Sequence, residues 1–599
     1  NPVLGKSYGE IAADSRSQHK SQGFGVPRTR GEALEYFQPI AGEAPADNLF
    51  SGVTTGWSKV QGGAKIQASI ESIISSFDFL QPQRSVPRLV ALYKDISVLP
   101  AGFWKEIKLK EVQLLIEQAS GLFIDAFTSQ PFVAQTDSAQ FNFSLNSRLA
   151  NNILVKRISI AGSDTTLNTT LVSNRNLGFS RSFFVPASYP LTQPYWLQRP
   201  MSEGYFNVAD PADIGKPDVD PAFTAQFHLD IEGQAFVFTK PVRYKFTDPV
   251  KGELYQPFVV LPRVTVNTAP SVVIVKQKAP VIFVTAKANK ALNGENRVAA
   301  VNMGGRPLEK GLEGGGLQKG TGTEIEFAIP AASLKLQSTN AVPLIRHGSA
   351  NGTDSLALST IRYDHIPNIN YFYTDAAKLL NIDLKTKGKK IGYIVGAGDK
   401  VPEALEAMGY DVTLVGEKEM ARLSLQAFDA VISGVRAYNT ADWLNTYHEK
   451  LMKYVADGGN LIVQYNTSNN NGPVRAKIGP LPFTISRNRV TDEGAAVTFL
   501  APQHPALNYP NRITQDDFKG WIQERSIYGA TEIAPQFQSI LGMNDPGERS
   551  DSGSLIIAPH GKGYFTYTGL VFFRELPAGV PGAYRLLANL IALNQKREM

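Results

Sequence analysis

The sequence predicts a multidomain fold: a helical segment, two antiparallel β-sandwich-like domains and a C-terminal doubly wound α/β domain with a flavodoxin-like sheet. Three observations predict it. The chain has 599 residues, and single cores stop growing beyond about 250–300 residues. From residue 139 onward apolar and β-branched residues alternate with period two between Gly, Pro and Asn clusters, the pattern of half-buried antiparallel strands. From Asp383 the texture becomes strand, helix, strand, which builds a parallel sheet.

The first element is a helix. Ser7 is an N-cap residue, Glu10 completes a capping box, and Gly23 and Gly25 end the segment. Ile11, Ser15, His19 and Gln22 share one face by helical spacing. That face begins apolar and turns polar, so it either lines a pocket or belongs to a capped surface helix.

Residues 41–128 read as a helical region. Ile66, Ile70, Ile73, Ile74 and Phe77 form an apolar stripe. Leu89, Tyr93 and Ile96 mark a second helix after Pro87, and Val112, Leu115, Ile116 and Ala119 a third. The stripes read as packing surfaces.

Residues 129–270 form the first sandwich, from "QFNFSLNS", "NILVKRISIAG", "FHLDIEG", "AFVFTK" and "VRYKFTD". Residues 271–370 form the second, with "APVIFVTAKANK", "RVAAVNM" and "EIEFAIP", the strands of "RVTVNTAPSVVIV" leading into it. The Gly-rich "GGRPLEKGLEGGGLQKGTGT" reads as a flexible loop, because no strand–loop–helix context for phosphate surrounds it. His228 reads as a strand residue. Tyr195 and Trp196 in "QPYWLQRP" either stack on a sugar or pack.

Residues 371–599 form the α/β domain. "KKIGYIVGAG" is a buried strand, "VPEALEAMG" a helix, "YDVTLVG" and "FDAVISG" strands, "DWLNTYHEKLMKYVADGG" one long helix and "NLIVQYN" a strand; a hairpin and a closing helix follow. The lone Gly396–Gly398 pair lacks the third glycine of a dinucleotide loop and reads as a tight turn. Arg436, Tyr438 and Asn439 follow one strand and Gln464 and Asn466 another. Strand ends of this kind hold ligands in open α/β sheets. The five are therefore either substrate-binding residues, suited to a carbohydrate or an acidic group, or loop-packing polar residues. Arg574, Glu575 and Arg585 form either a site or a buried ion-pair network.

Composition narrows the function classes. A net charge of +6 without a dense Lys/Arg run argues against a nucleic-acid partner. With no cysteine there are no disulfides, thiolate metal sites or cysteine nucleophiles. No apolar run approaches 18 residues, so a membrane span is not expected. No secretory signal is present, and a mature exported protein would look the same.

The order of the C-terminal elements resembles the class I glutamine-amidotransferase-like fold. That resemblance implies a nucleophilic Cys after "NLIVQYN", where this chain has Tyr465 and Asn466. The scaffold is then kept and that chemistry lost. Independent hydrolase activity would need another nucleophile with an oriented base, and the sequence offers none at that elbow.

A second resemblance spans both ends of the chain. "LGKSYGEIAADSRSQHKSQGFG" looks like the end of the catalytic domain in large PIG-L (LmbE-like) deacetylases of the Bacteroidetes type. "DLKTKGKKIGYIVGAGDKVPEALEAMGYDVTL", "GGNLIVQYNT", "VTFLAPQHPALNYPNRIT", "GWIQERSIYG" and "YTGLVFFRELPAGVPGAYRLLANLI" resemble the tail of the same proteins. The resemblance implies a zinc-dependent N-deacetylase acting on N-acetylglucosamine-type amino sugars, whose His-Pro-Asp-Asp motif holds the metal and activates water. That motif is not in this sequence, and the histidines at 19, 228, 347, 365, 448, 504 and 560 lack metal-site spacing. The expectation is an accessory C-terminal portion with no metal site of its own, whose residues 1–40 close a catalytic domain carried elsewhere with its zinc. His19, Ser21 and Gln22 are the residues carried over, as substrate-binding candidates, with His19 the candidate catalytic-pocket residue. The competing expectation is a non-catalytic carbohydrate-binding or scaffold protein of the bacterial envelope. Both place the chain in the periplasm or at the outer surface, with a glycan ligand or the N-terminal catalytic portion as partner.

Overall fold

The computed structural model describes every residue except 2, 46–47, 55, 150–151, 203, 276–278, 293–296, 306, 313–316, 331–333, 335–337, 348–351, 469–473, 475–476 and 599, and only the backbone of 21, 297, 347 and 596–598. It divides into two compact units, Asn1–Leu122 with Ser147–Ile153 and Asp230–Gln234, and the remainder.

In the first unit the capping box closes helix α1, Tyr8–Arg16. The Ser7 hydroxyl accepts from the Glu10 amide at 3.1 Å and the Glu10 carboxylate accepts from the Ser7 amide at 3.0 Å. The helix stops at Arg16, and a separate short turn, Lys20–Gln22, carries the chain to Gly23 in the left-handed region. Helices α2 (Gly63–Ser75), α3 (Val86–Ser97) and α4 (Phe103–Ala119) follow. Ile66, Leu89, Ile96, Val112 and Ile116 are buried, whereas Ile74 and Phe77, at the far end of the expected stripe, are exposed. The helical region ends earlier than the periodicity implied: Leu122–Thr128 is a strand, its β-favouring LFIDAFT run captured by a sheet.

The second unit is built mainly from sheets. Its first pair has five strands in the order Gly252–Pro257, Arg243–Asp248, Leu122–Thr128, Ser138–Ser147, Leu177–Phe184, and four in the order Ser163–Thr170, Ile153–Ile160, Thr224–Ile231, Gln234–Pro241. Phe143 from the five-stranded sheet meets Phe227 from the four-stranded one at 6.2 Å between ring centroids. The second pair has a three-stranded sheet, Val264–Ala269, Val281–Ala288 and Gly322–Ala328, and a six-stranded sheet that includes Ser338–His347 and Ala377–Leu380. Val266 and Val284 of one share a core with Val301, Ile345 and Leu379 of the other.

Two expectations need correction here. The sheets are not wholly antiparallel: Leu122–Thr128 pairs parallel with Arg243–Asp248, and Val272–Ile274 with Ala377–Leu380. Over a hundred residues separate each pair, and only long connections allow parallel pairing. Nor is the Gly-rich stretch wholly a loop: Leu308–Gly311 pairs antiparallel with Arg297–Asn302, while 306 and 313–316 lie outside the described residues.

The C-terminal sheet has seven strands in the order Asp411–Val415, Lys390–Ile394, Ala430–Ser433, Asn460–Gln464, Gly563–Thr568, Leu555–His560, Gln538–Ser539. The first five run parallel, Leu555–His560 runs against them, and Gln538–Ser539, antiparallel to Leu555–His560, runs with the first five again. Alternate residues feed two cores. Ile391, Ile432 and Ile462 pack with helices α5 (Val401–Met408) and Pro581–Ile591 on one face. Val431, Leu461 and Val463 pack with Glu417–Arg422 and His448–Ala456 on the other. Burial on both faces explains why these strands read as continuous apolar runs. The expected long helix is instead a short turn, Asp442–Asn445, and a nine-residue helix, His448–Ala456.

Candidate functional site

The parallel strands point their C-terminal ends at one edge. The Gly396–Gly398 turn there is glycine for steric reasons: a Cβ on Gly396 would lie 2.2 Å from the Val435 carbonyl oxygen, and Gly398 has φ +103°. The anion seat at the start of α5 is already filled from within. The Asp399 carboxylate accepts from the Val401 amide at 3.0 Å, the Val435 amide at 3.2 Å and the Tyr393 hydroxyl at 2.6 Å. This geometry supports the tight-turn reading and leaves no open phosphate cradle at this turn.

The five polar residues expected at this edge are brought together, mostly as internal supports. Gln464 donates to the Tyr393 hydroxyl at 3.0 Å and to the Ser433 carbonyl at 3.2 Å. Asn466 accepts from the Tyr438 amide at 2.9 Å and donates to the Gln464 carbonyl at 3.0 Å. Asn439 and Thr467 exchange two hydrogen bonds, at 3.0 and 2.9 Å. Gln464, Asn466, Tyr438 and Asn439 are buried. Burial pushes the Tyr438 phenol up, and burial beside Asp399 does the same to Tyr393. Both stay neutral at physiological pH.

Arg436 differs. It is partly exposed, and it holds a left-handed backbone, φ +57°, at the start of the turn Ala437–Thr440. Its amide donates to the Tyr465 carbonyl at 2.9 Å, while its Nε has no hydrogen-bond partner among the described residues. Tyr465 and Asn466, at the expected nucleophile position, are not among the residues with positive φ.

Around Tyr465 the structure assembles groups far apart in sequence. The Tyr465 and Tyr528 rings lie 5.8 Å apart and within 8° of parallel, and Phe573 stands 5.2 Å from Tyr465. The Arg574 guanidinium lies 4.9 Å from the Phe573 ring centroid and pairs with Glu524 at 2.9 Å. Gln523, which accepts from Arg574, and Tyr528 both carry left-handed backbones, φ +66° and +52°. Such strain in side-chain-bearing residues costs about 1–3 kcal/mol each and collects where function over-determines geometry. Burial raises the Tyr465 phenol, while the positive charges of Arg436 and Arg574 oppose that rise. All three aromatic residues are half-buried. Two residues past Tyr528, no more than about 7 Å along the chain, Ala530 begins the lining of a 910 Å³ cleft whose polar groups include Arg487, Arg489, Asp545 and Arg549.

The remaining candidates are not drawn into this site. His19 and Gln22 are exposed and bonded to each other, Nδ1 to Oε1 at 3.0 Å; the Ser21 side chain lies outside the described residues. Tyr195 and Trp196 meet at 89° rather than forming a flat platform, and the Tyr195 hydroxyl is tied to Gly215. His228 is a strand residue bonded to Ser159 at 3.1 Å. Arg574, Glu575 and Arg585 do not form one network. Arg574 pairs with Glu524 and Arg585 with Asp517, while the buried Glu575 carboxylate accepts from the Ile522 amide at 3.1 Å. Tyr528, Glu524 and Phe573 escaped the sequence reading because no local pattern links them to Tyr465. Their signal is aromatic and charged residues in the turn-rich "QERSIYG" and "VFFREL".

No family model and no curated protein matches this chain. Among solved structures, it is similar to the exo-β-1,4-mannosidase Op5Man5 from Opitutaceae bacterium strain TAV5. The identity is 12%, over 34% of this chain and 35% of that one, at a TM-score of 0.21. A protein of unknown function from Porphyromonas gingivalis W83 is 8% identical over 43% of this chain and 99% of its own, at a TM-score of 0.13. A DUF4785 family protein from Legionella pneumophila is 12% identical over 43% of this chain and 56% of its own, also at 0.13. This chain thus spans about a third of the mannosidase, and likenesses at these TM-scores carry no functional argument.

Proposed function

We propose that this chain recognises carbohydrate through the C-terminal edge of its α/β sheet, as the accessory portion of an extracytoplasmic, metal-dependent N-deacetylase of N-acetylglucosamine-type amino sugars. The observation that carries the binding part is the Tyr465–Tyr528–Phe573 cluster, flanked by Arg436, Arg574 and Glu524. Aromatic faces offer apolar area to the C–H face of a sugar ring, and fixed charged groups beside them suit hydroxyls and amide oxygens. The domain then uses an amidotransferase-like scaffold with Tyr465 and Asn466 in place of a nucleophile.

The deacetylase part rests on the sequence resemblance. Exposed apolar residues near the start of the chain, Val3, Leu4, Tyr8 and Phe24, fit packing against a catalytic portion. The donor set for zinc does not fit here: among the described residues no group of three or more His, Cys, Asp or Glu is placed to hold a metal. No catalytic step is assigned to this chain. No helix among the described residues is long and apolar enough to cross a membrane.

Calorimetric titration of the chain with chitooligosaccharides tests the proposal. Losing one stacked ring removes about 0.5–1.5 kcal/mol, so Tyr465→Ala and Tyr528→Ala are each expected to weaken binding about two- to tenfold with the fold intact by circular dichroism. Absence of binding by the wild type, or binding by both variants as tight as that of the wild type, overturns it.

A further inference from the structure

We infer that a second sugar-binding pocket lies in the β region, shaped for the N-acyl group of an amino sugar; this rests on the carbohydrate reading above. The pocket has a volume of 290 Å³ and is lined by 192, 218–221, 241–243, 255–259 and 367–370. Its lining includes Val242, Phe258 and Val259, all buried, and the prolines 221, 241, 257 and 367. A mostly apolar concavity with a few placed polar groups is the usual form of a small-molecule site.

Three of the lining polar groups offer donors. The Thr192 oxygen accepts from the Val260 amide at 3.0 Å, which leaves its O–H proton to donate. Gln256 Oε1 accepts from the Asn368 amide at 2.9 Å. Because that partner is an obligatory donor, the side-chain orientation is fixed and the Gln256 NH₂ group is left for a ligand. Arg243 supplies the third donor. Its guanidinium is held 4.0 Å from the Tyr255 ring centroid and 3.6 Å from Asp125. Asp125 is itself buried, and it also accepts from the Tyr255 hydroxyl at 2.8 Å and faces Lys245 at 3.6 Å. Two exposed carboxylates stand on the rim: Asp220, which pairs with Lys216 at 2.9 Å, and Asp218, which accepts from the Val219 amide at 2.7 Å.

Donors over an apolar floor select a ligand that offers acceptor oxygens on an apolar body. An acetamido group meets this description, with its carbonyl toward Gln256 and Thr192 and its methyl on the floor. A free amino sugar does not. It lacks the carbonyl that Gln256 and Thr192 would hold and the methyl for the apolar floor, and its ammonium would approach the Arg243 charge. The pocket therefore distinguishes acetylated from deacetylated sugar, the two sides of the proposed enzyme's reaction.

The test uses the full chain and saturation-transfer NMR with N-acetylglucosamine, glucosamine and N-acetylglycine. The expected result is binding of N-acetylglucosamine that is weakened but not abolished in a Tyr465→Ala/Tyr528→Ala double variant. That binding should fall at least tenfold in Gln256→Leu and in the pocket-filling Val219→Trp, with glucosamine at least tenfold weaker throughout. Loss of all N-acetylglucosamine binding in the double tyrosine variant overturns the pocket and leaves the sheet-edge proposal standing. Binding sensitive to Gln256 and Val219 but not to the tyrosines overturns the sheet-edge site and leaves the pocket standing. Equal binding of glucosamine overturns the selectivity argument, and N-acetylglycine binding as well as the sugar overturns the assignment to sugars. No binding of any probe by the wild type overturns both sites.

Discussion

Glu575 offers the sharpest test of how the α/β domain is held. It has no solvent-exposed surface. Burial, against the pull of the Ile522 amide and the Arg525 and Arg574 charges, pushes its carboxyl up to about 8 from 4.5. The sign follows from linkage. A carboxyl that holds its proton more tightly when folded contributes full stability below about pH 4.5, and loses it as pH rises through about 8. The full shift is worth at most about 5 kcal/mol, and relaxation of the charged groups around it reduces this to about 1–3 kcal/mol. Glu575→Gln keeps an acceptor for the Ile522 amide and removes the titration. Urea unfolding followed through the buried Trp521, at pH 5, 7 and 9, is the assay. The variant should match wild type within about 1 kcal/mol at pH 5 and exceed it by about 1–3 kcal/mol at pH 9. A variant that is weaker at every pH, with the gap widening toward pH 9, would show a charged carboxylate stabilised by Arg525 and refute the reasoning.

Two further outcomes test the packing of the closing helix, Pro581–Ile591. Gly582→Ala should cost about 3 kcal/mol although alanine is the better helix former, because its Cβ would lie 1.8 Å from the Asp517 carbonyl oxygen; thermal denaturation reads it, and a neutral or stabilising result sinks the steric argument. Asn589→Ala should cost a similar amount, about 3 kcal/mol, since buried Asn589 donates to the Ala506 and Asn511 carbonyls and accepts from the Asn511 amide; unchanged hydrogen exchange over 505–511 would contradict it.

Much of the fold was legible locally. The Ser7–Glu10 capping box, the period-two strands and the βα alternation after residue 383 each rest on neighbours a few residues apart, and the structure forms all three. Strand pairing was less legible. Leu122–Thr128 joins a sheet through partners at Arg243 and Tyr244, and no local period records a contact across more than a hundred residues. Of the residues around Tyr465, the sequence named Arg436 as a binding candidate and Arg574 as either a site or an ion-pair residue, and read Tyr465 only as standing at the nucleophile position; Arg436 and Tyr465 follow buried strands that announce themselves by composition. The sequence placed Arg436, Tyr438, Asn439, Gln464 and Asn466 at one edge, and by itself it determined the alternation of strands and helices after residue 383 and where that edge lies. Only the tertiary structure decided which side chains there are internal supports and which remain accessible. Side-chain hydrogen bonds turn Gln464, Asn439 and Asn466 inward, while packing of two distant turns sets Tyr528 and Phe573 against Tyr465. That choice depends on where three separate backbones meet, and the meeting is fixed by the packing of the whole domain.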